Sequence, residues 1–129
     1  MSELADSETT GRTRGLAKFA EVYSFPPGYP EEPLDSFMEA TIDELFTRLW
    51  SRPGLSTHER RLLTIGILAS LGKGDLLRLQ FASALDKNEM TQEQIEEIVL
   101  HLAYYVGWPL GSVAYQASKS ALSKHRDSP

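Results

Sequence analysis

Two groups of side chains in this sequence have the types and spacing that chemistry on a small acid requires. The first is basic. Arg48, Arg52, Arg60 and Arg61 lie between positions 48 and 61 against the single acid Glu59, in a chain whose net charge is −5. Guanidinium forks grip carboxylates through two parallel hydrogen bonds, and a helix N-terminus adds its own preference for anions. The cluster reads either as a binding spot for a small carboxylate, with Arg52 and Arg61 as its binding residues, or as a solvated helix start whose arginines pair with Asp43, Glu44 or Glu59.

The second group is aromatic. Glu97, His101, Tyr104, Tyr105 and Trp108 stand three to four residues apart, so a helix places them on one broad side. Glu97 could orient the imidazole and His101 could shuttle a proton. The hydroxyl of Tyr104 or Tyr105 could stabilise an enolate, with Trp108 as a binding surface beside them. The same residues also describe an aromatic packing face with one satisfied histidine. Gln80 interrupts an otherwise apolar stretch. Its amide can hydrogen-bond a ligand but is neither acid nor base near neutral pH, and a solvent-facing position is the alternative. His58 and His125, in a helix cap and a tail, are assigned no role.

Bulk properties narrow the choices. At 129 residues the chain is one domain with a core of useful size. Cysteine is absent, which removes disulfides, thiol redox chemistry and thiolate metal sites. The three histidines have no metal-ligand spacing, so no metal is expected. An acidic balance argues against nucleic acid as a partner. The N-terminus lacks the pattern of a signal peptide, and the longest apolar run, Leu62–Leu71, is about half of a bilayer span. A cytoplasmic protein with no membrane partner is the expectation.

The elements that must position these residues are helical. Residues 1–11 read as a mobile tail. Leu16, Phe19, Ala20 and Tyr23 mark a short helix from Thr13, followed by a proline-aromatic arm, 25–30, that must run extended and fold back over a core or a neighbouring subunit. Residues 12–34 thus form an N-terminal helix and arm. Pro33 suits the first turn of a second helix carrying Phe37, Ile42, Phe46 and Leu49 inward.

After the Pro53-Gly54 turn, Ser56 and Glu59 have capping-box spacing, and a third helix over about 57–71 is apolar almost all round. Such a helix belongs in the middle of a domain or in a subunit interface. A fourth helix spans about 75–87. Thr91 and Gln94 make a capping box for a fifth, and Pro109 begins a sixth that ends in the tail 124–129. No segment alternates with period two. The reading is all-α, a six-helix bundle.

With these elements in place, residues 35–122 resemble the carboxymuconolactone decarboxylase family, which shares its fold with the AhpD-like alkylhydroperoxidases. The resemblance is carried by Trp50-Ser-Arg-Pro-Gly-Leu55, Arg60-Arg-Leu-Leu-Thr-Ile-Gly66, the 91–100 run with Glu96-Glu97, and Tyr104-Tyr-Val-Gly-Trp-Pro109. It implies a helical domain over 35–123 that assembles as a homo-oligomer, a trimer or a hexamer. The relay of the peroxidase branch falls on Arg61, Lys73, Leu76 and Gln80, none of which matches it. Decarboxylases of the family carry His where this chain has Gln80, while Arg61 matches that branch.

The resemblance therefore implies a lyase acting without cofactor on a small anionic substrate, a carboxylated lactone or related cyclic acid, in aromatic catabolism or natural-product tailoring. His101, Tyr104 or Tyr105 would take over the acid–base role, and Arg52, Arg61, Gln80 and Trp108 would bind. The alternatives are a non-catalytic oligomeric binding or scaffold protein that keeps the fold, and an isomerase in the same pocket.

Overall fold

The computed structural model describes residues 3–127, with side chains for residues 11–127. The described residues form six α-helices and one π-helical segment, and no strand. The helices are α1 (Glu3–Val22), α2 (Ser36–Ala40), α3 (Thr57–Ser70), α4 (Gly74–Asp86), α5 (Gln92–Val106) and α6 (Trp108–Arg126), with π-helical turns over Thr41–Trp50 between α2 and α3. The all-α expectation holds. The chain divides into two compact units, one up to Thr57 and one from His58 onward.

In the first unit, α1 starts at Glu3 rather than at Thr13, so residues from Glu3 that read as a tail have helical backbone; residues 1 and 2 lie outside the described set. No proline interrupts residues 3–12, and their polarity hides a helix from a pattern that counts apolar positions only. The second helix also differs. It begins at Ser36, after Pro33, because Asp35 supplies the cap by accepting the Met38 N–H at 2.9 Å.

From Thr41 the winding loosens into π-turns. The hydroxyls of Thr47 and Ser51 donate to the carbonyls of Ile42 and Phe46, each five residues earlier, at 2.8 and 2.6 Å. Ile42, Phe46 and Trp50 form the buried stripe of this segment and pack with Phe19 and Val22 of α1. Phe19 and Phe46 meet edge to face at 5.1 Å. The arm folds back over this core as expected, with Phe25 stacked on Phe19 at 5.5 Å and Tyr29 against Phe25 at 4.5 Å.

Two contacts fix α1 on the π-segment. Gly15 is buried where a Cβ would collide with the Ile42 carbonyl and the Thr47 hydroxyl, so only glycine permits the approach. Arg12 grips Asp43 with both arms of its fork, Nε to Oδ1 at 2.6 Å and Nη2 to Oδ2 at 2.8 Å. That hydrogen bonding holds the Asp43 carboxyl below the usual carboxylate range.

In the second unit α6 packs against both α4 and α5. The core gathers Ile65 and Ala69 from α3, Leu77 and Phe81 from α4, Ile95 from α5 and Ala114 from α6. Gly111 lets α6 close on Ala103 of α5, where a Cβ would clash. The Thr91–Gln94 capping box is present in both directions, at 3.1 and 2.9 Å. The last helix runs through Lys124 and His125 to Arg126, beyond the tail boundary that the sequence suggests; cations in a final turn are favoured by the helix dipole.

Helix α3 is buried on one face only. Arg61, Ile65 and Ala69, four residues apart, point inward, while Leu63, Ile67 and Leu71 are 60%, 59% and 62% exposed. No described helix is long and apolar enough to cross a membrane.

Candidate functional site

Arg61 sits one turn into α3 on its inward face and is fully buried. A guanidinium cannot shed its charge by deprotonation, so its burial demands partners. Two are supplied from elements that follow in the chain. Gln80, on the buried face of α4 with Leu77, Phe81 and Ala84, accepts a hydrogen bond from Arg61 Nη1 through its Oε1 at 2.9 Å. Glu89, in the connection between α4 and α5, accepts from Arg61 Nε through its Oε1 at 2.9 Å.

The connection is shaped for this. Asn88 takes a positive φ of 55°, a conformation its short polar side chain tolerates, and the Glu89 N–H donates to the Ala84 carbonyl at 2.8 Å. The sharp turn keeps Glu89 beside the end of α4 instead of letting it extend into solvent.

A fourth residue completes the group. His58 lies one turn before Arg61 on α3, and its Nδ1 stands 3.5 Å from the same Glu89 oxygen that Arg61 holds. That nitrogen is buried and makes no hydrogen bond as it stands. Side-chain exposure rises along the series, from 0% at Arg61 through 14% at Glu89 to 41% at His58. The cluster is a short polar path from the interior to the surface, with its fixed cation at the inner end and a titratable imidazole at the outer end. Among the described residues no group of three or more His, Asp or Glu side chains could hold a metal ion.

Of the residues singled out in the sequence, Arg61 and Gln80 are brought together. Arg52 belongs to the first unit and is exposed, and Arg48 pairs with Glu44 at 3.3 Å on a solvent-facing turn. Of the four arginines, Arg61 alone is fully buried. His101 stacks on Tyr105 at 4.9 Å, and Tyr104 meets Trp108 edge to face at 5.7 Å. These four share one side as the spacing implies, and that side is exposed, at 75% for Tyr104 and 81% for Tyr105.

Trp108 also lines a groove of about 460 Å³ between α5 and α6, with Leu100, Tyr115 and Lys119. His58 and Glu89 were not expected. The signal for His58 is its three-residue spacing from Arg61, which puts both on one helix face; a linker glutamate such as Glu89 gives no comparable signal.

Two curated proteins resemble the chain. A 4-carboxymuconolactone decarboxylase of Acinetobacter baylyi is 39% identical over 66 residues, covering 51% of this chain and 48% of that protein. The nitrosuccinic acid decarboxylase npaB of Metarhizium robertsii is 39% identical over 61 residues, covering 47% of this chain and 42% of its own length. The chain thus aligns with about half of each relative or less. No solved structure matches it. The family match runs over residues 35–120 and takes in all four residues of the cluster; the protein belongs to the carboxymuconolactone decarboxylase family, as a member without cysteine.

Proposed function

We propose that this protein is a decarboxylase-type lyase acting on a small carboxylated acid, a lactone or a related compound, at the Arg61–Gln80–Glu89 cluster. One observation carries the reading. A guanidinium is held in the interior by two side chains from different elements, within the stretch that matches the carboxymuconolactone decarboxylase family, in a chain that resembles two decarboxylases.

Loss of carbon dioxide from a carboxylate leaves an electron pair that a neighbouring acceptor oxygen must take up. A preorganised cation in dry surroundings stabilises that new charge without reorganising, an effect worth several kcal/mol where such donors have been removed, about 3–4. Arg61 supplies the charge. Gln80 fixes the guanidinium plane through its carbonyl oxygen but has no proton to give to carbon. Thiol peroxidase chemistry is unavailable to a chain without cysteine.

The reading includes a homo-oligomer, a trimer or a hexamer. The exposed apolar side chains of Leu63 and Ile67 on α3, with Leu71 just after its end, support it, because an exposed apolar surface ordinarily finds a partner. Molar mass by light scattering tests this part.

Carbon dioxide release from a panel of carboxylated muconolactones and short nitro acids tests the activity. Release from at least one member is expected, and a protein that neither decarboxylates nor isomerises any of them overturns the reading. One feature favours a second reading, a binding protein that keeps the fold without the chemistry: Glu89 and Gln80 already engage Arg61 from within. Gln80→His separates the two. A modified but working pocket gains activity from it, whereas a silent one does not.

A further inference from the structure

We infer that His58 is the proton donor of this site and that Glu89, pinned by Arg61, is its positioning residue. The inference rests on the decarboxylase reading, which leaves open where the proton for the product carbon comes from. Within the cluster the other three side chains are poor sources. Arg61 does not deprotonate, Gln80 has no acidic proton, and Glu89 is already engaged as the acceptor of the Arg61 Nε–H. His101, Tyr104 and Tyr105 lie on an exposed face, with His101 stacked on Tyr105. His58 is the titratable group at hand.

Its placement suits the task. Glu89 Oε1 accepts from Arg61 Nε at 2.9 Å and faces His58 Nδ1 at 3.5 Å, a gap that a small ring rotation closes. A carboxylate opposite Nδ1 favours hydrogen on that nitrogen, which fixes the tautomer and leaves Nε2 as the exchanging atom. Nδ1 is buried while the side chain is 41% exposed, so the exchange with substrate and solvent is assigned to Nε2. Arg61 in turn prevents Glu89 from leaving, since its Nε–H and the adjacent Nη1–H are both engaged.

The step balances. The bond from the product carbon to the carboxylate breaks, and carbon dioxide departs. The electron pair left behind passes to the carbon and its acceptor oxygen. The imidazolium of His58 then delivers its Nε2 proton to that carbon and becomes neutral imidazole. A proton from water restores it, so each turnover consumes one solvent proton.

Turnover in deuterated water, with whichever panel acid the wild-type protein decarboxylates, tests the donor. Wild type is expected to place deuterium on one face of the product carbon. His58→Asn is expected to lower kcat about a hundredfold with KM little changed, and to scramble that face. His58→Ala is expected to regain activity when imidazole is added to the buffer.

The positioning role is read separately, by nitrogen-15 resonances of the histidine ring. Wild-type His58 in its neutral form is expected as the Nδ1–H tautomer, and Glu89→Gln is expected to remove that preference. A wild-type ring found as the Nε2–H tautomer overturns the dyad even where Glu89 variants fold poorly. Turnover and facial selectivity that survive His58→Asn overturn the donor role alone. A wild-type protein inert toward the whole panel instead overturns the decarboxylase reading and the donor role with it.

Discussion

Arg61 Nη1 donates to Gln80 Oε1 across 2.9 Å in a part of the protein where both side chains are withdrawn from water. Hydrogen bonds to charged groups contribute about 1.5–3 kcal/mol, and an orphaned buried donor costs about as much as the bond contributed. Gln80→Leu is therefore expected to destabilise the protein by about 2–3 kcal/mol. Gln80→Glu places a second carboxylate on Arg61 and is expected to be tolerated better near neutral pH. Urea midpoints of the two variants check this order.

The Arg61–Glu89 pair should behave as one unit. Removing a single member of a buried pair costs about 3–5 kcal/mol, whereas replacing both by well-packed neutral groups is often close to neutral. Glu89 keeps 14% exposure, which places Glu89→Gln at the lower end of that range. Arg61→Met together with Glu89→Gln should cost less than the sum of the two single changes. A double-mutant cycle whose coupling energy falls below about 0.5 kcal/mol would show the two side chains to be independent.

Asp43 makes the first unit sensitive to acid. Its carboxyl is held below the usual range by Arg12, so the folded state binds its proton more weakly than the unfolded state does. The stabilisation is therefore full above the unfolded carboxylate value of about 3.9 and is lost as pH falls from there through the folded value. Its size is about 0.5–1 kcal/mol, because the carboxylate is 38% exposed and solvent screens the pair. Asp43→Asn should lower stability at pH 7 and make little difference near pH 2. Fluorescence of Trp50 during unfolding, in a Trp108→Phe background, reports on the correct unit.

Two glycine-to-alanine changes should have opposite signs. At Gly15 the new methyl meets a backbone carbonyl and a hydroxyl, and overpacking of about 1–3 kcal/mol exceeds the helix-propensity gain of about 1 kcal/mol. At Gly66 nothing lies within 4 Å of the added carbon, so the propensity gain stands alone. Thermal midpoints are expected to fall for Gly15→Ala and rise for Gly66→Ala.

Much of the architecture could be read from local chemistry. The Thr91–Gln94 box, Pro109 at the start of α6 and the return of Phe25 and Tyr29 onto a core all follow from residues close together in sequence. The π-turns could not be read that way. Ile42, Phe46 and Trp50 recur at a spacing that an α-helix also uses, and the departure lies in how the hydroxyls of Thr47 and Ser51 reach their carbonyls.

The site divides along the same line. Arg61 and Gln80 could be suspected because each interrupts an apolar helix. Glu89 joins them through the turn at Asn88, across a separation of 28 residues from Arg61 for which no periodic pattern exists. His58 shares a helix face with Arg61, but its link to Glu89 spans 31 residues and is equally without pattern.

The stretch that matches the family begins at residue 35, yet the apolar stripe Ile42–Phe46–Trp50 near its start is covered by Phe19 and Val22 of α1, which precedes it. What is inherited as a recognisable unit is thus smaller than what is physically self-sufficient. A polypeptide trimmed to the matched boundary would present three large apolar side chains to water and be drawn toward aggregation. The N-terminal helix, though outside the family signature, acts as a built-in solubiliser of its first segment.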